Sequence, residues 1–466
     1  MLGKTKRVHF VGIGGIGMSG IAELLLNYGY KITGSDLMKT SVTEKLERMG
    51  AKIFYCHKSK HITDAEVVVK SSAIKDDNVE IKTALIKNIP VIRRAEMLSE
   101  LMRMKYGISI AGTHGKTTTT SMVGMILSEA DLQPTLIIGG VVKNFNSNAV
   151  LGKSKYIVVE ADEFDRSFLK LTPIIAGITN IEEEHVDCYP TIGELENAFL
   201  QYANSVPFFG LIVACLDDTK IREIIPRFEK RLCTYGLNAK ANVRAINIKF
   251  KNFTSQYDLI YDNKKLGVID IQLPGIHNVQ NSLLAATIAL ELEIPFINIR
   301  NGLEKFSGVY RRFERKGFIN DILVYDDYAH HPTEIRATLT GIKDGSVRRV
   351  ITIFQPHLYS RTKMFYKEFA KSLTLSDLLI ITDVYPAREK PITGVSGKLI
   401  ADIAVQNGYK NVIYIEDKDD VPNKLLELAK SGDFVITMGA GDIYKIGEKF
   451  VSMFNKDFQT NKKIRK

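Results

Sequence analysis

The chain is poor in cysteine, and that shortage removes whole classes of protein. Only Cys56, Cys188, Cys215 and Cys233 occur in 466 residues. Their spacing matches neither a disulfide framework nor a zinc knuckle, so reduced thiols in a cytoplasm fit best. No apolar run approaches the ~18 residues that a membrane span needs. No internal repeat or low-complexity stretch is present. Basic and aromatic residues do not cluster in the way a nucleic-acid surface requires. The one basic group, Lys462, Lys463, Arg465 and Lys466, reads as a solvated tail. The opening MLGKTKRVHFVGIGG is basic and then apolar, but its apolar part is too short for a signal peptide and reads as a first strand.

What is present is ample for several cores. Hydrophobic residues make up 45% and charged residues 25%, the balance of a globular protein. The length implies two to four domains. A net charge of +10 favours small polyanionic substrates through electrostatic steering.

One unit recurs: a short β-branched run, a polar or glycine-rich turn, then a helical pattern. Val8–Val11, Tyr30–Thr33 and Val67–Val69 read as strands of a first domain. Gly107–Ala111, Ile157–Val159, Ile174–Ile178 and Leu211–Ala214 read as a second. Ile322–Tyr325, Val350–Phe354, Leu378–Ile381, Val412–Ile415 and Phe434–Thr437 read as a third. Glu194–Val206 places Leu195, Ala198, Phe199, Tyr202 and Ala203 on one helical face. The alternation predicts an α/β protein with parallel sheets covered by helices, divided near residues 104 and 310. In such sheets ligands gather where the strands end, and nearly every polar cluster here begins at a strand end.

After the first strand, Gly12-Ile13-Gly14-Gly15-Ile16-Gly17 satisfies G-x-G-x-x-G. The glycines permit a tight turn and close approach of a diphosphate to a helix N-terminus. Asp36 follows the second strand and can accept hydrogen bonds from a ribose. Alone the pattern suits a nicotinamide dinucleotide as well as any other nucleotide, or a structural turn.

The run Gly112-Thr113-His114-Gly115-Lys116-Thr117-Thr118 follows another strand and opens a helix. Backbone N–H groups of such a turn wrap phosphates, Lys116 neutralises terminal charge, and Thr117 reaches Mg2+. The glycine that an ordinary P-loop places five residues before Gly115 is here Ile110, so the loop is a shorter variant. Glu160, Asp162 and Glu163 follow the strand Ile157–Val159, and His185 follows the next one. A carboxylate and an imidazole at adjacent strand ends can converge on one divalent ion. A dehydrogenase explains only the first anion site, and an ordinary ATPase only the second. A nucleotide-dependent binding protein without ligation is a further reading.

These residues resemble the Mur ligase family over essentially the whole chain. The compact loop G-T-x-G-K-T-[ST] stands at Gly112–Thr118, the metal-binding acid at Glu160 and the histidine at His185. Gly275-Ile276-His277-Asn278-Val279-Gln280-Asn281 matches G-x-H-N-x-x-N, and Arg311-Arg312-Phe313-Glu314 matches the arginine motif at the hinge into the third domain. Asp326-Asp327-Tyr328-Ala329-His330-His331-Pro332-Thr333-Glu334 and Phe354-Gln355-Pro356-His357 resemble the member that joins L-alanine to UDP-N-acetylmuramate in peptidoglycan precursor synthesis. A sister that attaches a recycled peptide to the same sugar acid is the alternative.

The resemblance implies three domains: a Rossmann-like one over 1–104 for the UDP-sugar, a central P-loop one over 105–310 for ATP, and a Rossmann-like one over 311–466 for the amino acid. UDP, rather than a dinucleotide, would lie on Gly14, Gly15, Ile16, Gly17, Asp36, Ser71 and Ser72. ATP would meet Gly112–Thr118, His277, Asn281 and Arg312. Mg2+ would be held by Thr117 and Glu160, with a second ion near His185. Catalysis through an acyl phosphate would use Lys116, His185, Asn278, Asn281, Arg312, Asp327 and His330, with the third domain closing over the site. Tyr328, His330 and Arg361 would handle the amino acid. The family often carries two arginines three apart after Phe-Gln-Pro-His; here the first slot is Leu358. Several sisters carry a carbamylated lysine about fifteen residues after the histidine, yet no lysine lies between Val186 and Asp218.

Overall fold

The computed structural model describes residues 4–184, 188–387 and 389–453. Three sheets follow one another along the chain. The first has the order Lys52–Phe54, Lys31–Ser35, Arg7–Val11, Val67–Lys70, Val91–Arg93, with every neighbouring pair parallel. The second has ten strands. At its centre lie Leu211–Cys215, Ile175–Ile178, Tyr106–Ala111 and Tyr156–Glu160, again parallel. The third has six, of which only the hairpin Glu314–Ile319 with Ile322–Asp327 is antiparallel.

The local reasons are visible in the residues. Ile175–Ile178 and Leu211–Cys215 are buried along their whole length, as an apolar run covered on both faces must be. The helix Ile192–Asn204 buries Leu195, Ala198, Phe199, Tyr202 and Ala203, the five residues that the periodicity aligns. It is capped at its start by Thr191, whose hydroxyl accepts from the Glu194 N–H at 3.3 Å, and it ends at Asn204, leaving Val206 outside.

Several strands are absent from the sequence reading. Lys52–Phe54 and Val91–Arg93 have three residues each, too few to display a period. Val243–Lys251, Thr254–Tyr261 and Lys264–Ile271 are joined by two-residue turns, Asn252-Phe253 and Asp262-Asn263. All four turn residues have φ between 44° and 67°, the left-handed geometry that tight hairpins require.

The chain divides into two compact units. Unit 1 holds residues 1–248, 257–270 and 279–307; unit 2 holds 249–256, 271–278 and 308–466. The division at Ser307 lies beside the expected boundary near 310, whereas residue 104 falls inside unit 1, between its first two sheets. Unit 2 packs its core on both faces of the third sheet, with Phe354, Phe369 and Phe434 on one and Ile353, Ile380 and Phe450 on the other.

Candidate active site

Unit 1 carries two anion cradles, each formed where a parallel strand hands over to a helix. In the first, the strand Arg7–Val11 ends in the glycine turn and Gly15 caps the helix Ile16–Asn27. Gly12 has φ +82°, and a Cβ there would sit 3.1 Å from Ser71 Cβ. Ser71 therefore touches the turn, with its N–H bonded to Val11 O at 3.1 Å. Asp36 Oδ2 accepts from the Gly14 N–H at 2.8 Å, while Oδ1 accepts from Leu37 N. The acid expected to meet a ribose thus also ties the glycine turn to the end of the second strand.

A cavity of about 300 Å³ opens beside this turn. Six cations, among them Lys70, Arg93, Arg94, Arg166 and Lys170, share its polar wall with the acids Asp76, Asp162 and Asp165 and with Ser72. Arg94 lies against Gly17, where a Cβ would come within 3.1 Å of its guanidinium, and its other end stands 3.6 Å from Asp162. The two arginines and Arg166 were missed in the sequence. Their available signal was position: Arg93 and Arg94 stand where the strand Val91–Arg93 stops.

The second cradle follows the strand Tyr106–Ala111. Gly112 has φ +135°, and a Cβ there would overlap Thr179 Oγ1. Gly115, at φ +81°, caps the helix Lys116–Glu129 and lies against Asn281. A side chain at either place would meet both strain and a collision, so the turn is closed to anything but glycine. Asn180 fixes its outer edge: its Oδ1 accepts from the His114 N–H at 2.9 Å and its backbone O from the Thr113 N–H at 3.1 Å.

Three acids surround the lysine of this turn. Glu160 accepts from the Gly139 N–H at 2.6 Å and from Thr117 Oγ1 at 3.0 Å. Glu163 is 1% exposed and pairs with Lys116 Nζ at 2.8 Å. Burial pushes the Glu160 carboxyl up, against Lys116, Gly139 and Thr117; burial and Glu163 push Asp162 up. Burial also opposes the charge of Lys116, but Glu163 and Asp162 outweigh it and hold its pKa above the ordinary lysine range. Three carboxylates around one ammonium, all oxygen donors, suit a hard divalent cation such as Mg2+. His185, the expected partner, lies outside the described residues.

Within the G-x-H-N-x-x-N run, Gln280 Nε2 donates to Asp217 Oδ2 at 2.7 Å, which anchors the helix that presents Asn281 to Gly115. Asn278 and His277 belong to unit 2. Asn278 Nδ2 donates to Pro274 O at 2.7 Å, and burial pushes the His277 imidazole down to about 4.

In unit 2 the remaining residues gather at the carboxyl end of the third sheet. Asp327 accepts from the Phe313 N–H at 3.1 Å and the Ala329 N–H at 2.8 Å, stapling the arginine motif to the Tyr328–His331 loop. Burial raises Asp327 to about 6 in spite of Arg312, and Asp326 to about 6 in spite of Arg311. Arg311 is tied inward, with Nη2 donating to Gly439 O at 2.8 Å and Nε to Asp326 at 3.3 Å. Arg312 lies over the Tyr328 ring and stands 3.5 Å from Glu334.

His330 Nδ1 lies 3.0 Å from Tyr328 O. A carbonyl only accepts, so this contact assigns a proton to Nδ1. His357 stacks on Tyr385, faces His330 with ring centres 6.0 Å apart, and has Nδ1 3.4 Å from Arg361 Nη1. Burial and the neighbouring His330, Arg361 and Arg311 charges push it down to about 3, so it is neutral at neutral pH. Tyr328, His330 and Arg361 are thus drawn together at the carboxyl end of the sheet, and His357 joins them. Leu358, in the slot of the missing arginine, has φ +69° and starts the helix that carries Arg361.

Comparison with known proteins matches all three parts of the chain. The Mur ligase family catalytic domain matches residues 7–106, the Mur ligase middle domain 110–289 and the Mur ligase glutamate ligase domain 311–441. The UDP-N-acetylmuramate–L-alanine ligase of Geotalea uraniireducens is 52% identical over 98% of this chain and 100% of its own length. The enzyme of the same name from Salinibacter ruber is 50% identical over 98% and 96%. Among solved structures, the UDP-N-acetylmuramate-alanine ligase of Thermotoga maritima superimposes with a TM-score of 0.82 at 28% identity, covering 97% of this chain and 99% of that one. A murein peptide ligase from Psychrobacter arcticus gives 0.70 at 25%, covering 96% and 98%.

Proposed function

The chain belongs to the Mur ligase family, and from that premise we propose that it joins L-alanine to UDP-N-acetylmuramate, converting ATP to ADP and phosphate. The observation that carries this reading is the pair of anion cradles in unit 1. One is a phosphate turn ringed by acids, and the other a glycine turn beside a cavity whose cations outnumber its acids six to three. We assign residues 1–104, 105–310 and 311–466 to the UDP-sugar, ATP and amino-acid domains, in a cytoplasmic enzyme.

A carboxylate is a poor electrophile, so it is first phosphorylated. A carboxylate oxygen attacks the γ-phosphorus and ADP leaves; the alanine amine then attacks the acyl carbon, loses a proton, and inorganic phosphate departs. Both steps bring anions together, and the residues of this chain offset that repulsion. The glycine-turn N–H groups and Lys116 draw in the nucleotide phosphates. Gly14–Gly17, Ser71, Ser72 and Arg94 receive the UDP diphosphate and sugar. Mg2+, when bound, supplies charge neutralisation at the transferring phosphoryl group, and Thr117 and Glu160 are the residues placed to hold it. Asn281 keeps Gly115 in register, and Arg312 is the cation assigned to the nucleotide phosphates. His330 Nε2 accepts the proton of the amine, with Tyr328 beside it, and Arg361 pairs with the amino-acid carboxylate.

The test is phosphate release by the purified protein. It should require ATP, UDP-N-acetylmuramate and L-alanine together. Release that responds to an alanyl-glutamyl-diaminopimelate tripeptide and ignores L-alanine would overturn the choice of amine, and release without the UDP-sugar would overturn ligation.

A further inference from the structure

The ammonium of Lys116 is already fully engaged. It donates to Gly112 O at 2.6 Å, to Thr113 O at 3.0 Å and to Glu163 Oε1 at 3.0 Å, with Glu163 Oε2 2.8 Å away as its ion-pair partner. A lysine has three N–H bonds to give, so none is left over for a phosphate. Glu163 itself has little freedom. Its backbone carbonyl accepts from Tyr189 Oη at 2.7 Å and from the Arg166 N–H at 3.0 Å. Arg166 is pinned in turn, with Nη2 on Glu194 at 2.7 Å and its guanidinium over the Tyr189 ring. Asp165 and Arg166 both hold left-handed φ values, 51° and 60°, a strained pair that persists only because its surroundings fix it. Glu163 is therefore anchored from behind, while Lys116 hangs on a flexible four-carbon stem.

We propose that Glu163 is a positioning residue that holds Lys116 retracted in the nucleotide-free turn, and that an entering nucleotide exchanges this carboxylate for a phosphate oxygen. The inference rests on the reading of Gly112–Thr118 as the nucleotide turn. It assigns Glu163 a task distinct from that of Glu160. Once Lys116 swings to the phosphate, Glu160, Asp162 and Glu163 are left facing one another without their ammonium, so nucleotide entry without a divalent cation is opposed. Glu163 thereby makes nucleotide binding wait for the cation. Asp162, beside it, touches Arg94 of the other cradle, so both anion sites adjoin the same acidic segment.

The experiment measures ADP binding by calorimetry to the unmodified protein and to Glu163→Gln, each with Mg2+ and with EDTA. The amide keeps the shape but loses both the attraction for Lys116 and one negative charge. Loss of one charge-assisted pair predicts affinity in EDTA at least about tenfold tighter in Glu163→Gln, with a smaller gain from adding Mg2+. Equal affinity in EDTA would overturn the proposal. Weaker binding confined to the Mg2+ condition would also overturn it, because Glu163 would then serve the cation directly. Failure of the unmodified protein to bind ADP with Mg2+ would instead sink the nucleotide reading. If Glu163→Gln does not fold, crystals of the unmodified protein with a non-hydrolysable ATP analogue and Mg2+ decide. Lys116 released from Glu163 supports the exchange, and Lys116 still paired with it refutes it.

Discussion

Replacing Gly139 by alanine should disable the cation site without touching any residue that meets a substrate. Gly139 is exposed, in the strand Thr135–Val142, with no left-handed φ to forbid a side chain. Its N–H donates to Glu160 Oε2 at 2.6 Å, and a Cβ there would lie 2.5 and 2.7 Å from the two Glu160 oxygens. The carboxylate has to turn away, which breaks that bond and the one from Thr117 Oγ1. A hydrogen bond to a charged group contributes ~1.5–3 kcal/mol, so Mg2+ should be needed at roughly 10–100-fold higher concentration. Stability should fall by roughly the same ~1.5–3 kcal/mol, because those bonds are lost from the free protein while no apolar core residue is displaced. Mg2+ titration of ADP binding, beside a urea unfolding curve, measures both quantities. A folded Gly139→Ala protein whose Mg2+ requirement stays within about twofold would refute the placement of Glu160 as the cation ligand.

Lys116→Ala should abolish ligation while the chain stays folded, since the ammonium that the phosphate turn offers to the nucleotide is lost; near-normal alanine-dependent ADP formation by a folded variant would remove the nucleotide assignment. Arg361→Ala should raise the L-alanine requirement far more than the ATP requirement, and equal effects in steady-state kinetics would move Arg361 to another task. Glu80 gives a pH prediction. Burial opposes its charge, but the nearby His9 imidazole and hydrogen bonds from Ser35 and His61 prevail and hold it at about 2. A carboxylate depressed from its unfolded value of about 4.3 contributes about 3 kcal/mol above pH 4.3, lost as pH falls toward 2. Acid unfolding of Glu80→Gln should lack that limb, and identical acid limbs in the two proteins would contradict the network. Finally, activity should not depend on carbamylation, since the lysine-free stretch Val186–Asp218 offers no lysine to carry it; reversible activation by bicarbonate at fixed pH would show that another lysine does.

The sequence by itself determined the elements that repeat a local recipe. A β-branched run, a glycine turn and an amphipathic helix announce themselves within about twenty residues, because hydrophobic period and backbone permissiveness are local properties. The two glycine turns, the acids after Tyr156–Glu160 and the Asp-Asp-Tyr-Ala-His-His run were legible for that reason, as was the buried face of Ile192–Asn204. Three-residue strands were not, since they carry no period. What only the tertiary structure decided is which distant groups share a charge. Glu163 reaches Lys116 across 47 residues, Gly139 and Glu160 meet across 21, and Glu80 gathers Ser35, His57 and His61 across 45, 23 and 19. Nothing in the spacing of those residues encodes the pairing. It follows from strand order and helix direction, and low-dielectric burial then turns each meeting into a strong preference for one charge state over the other.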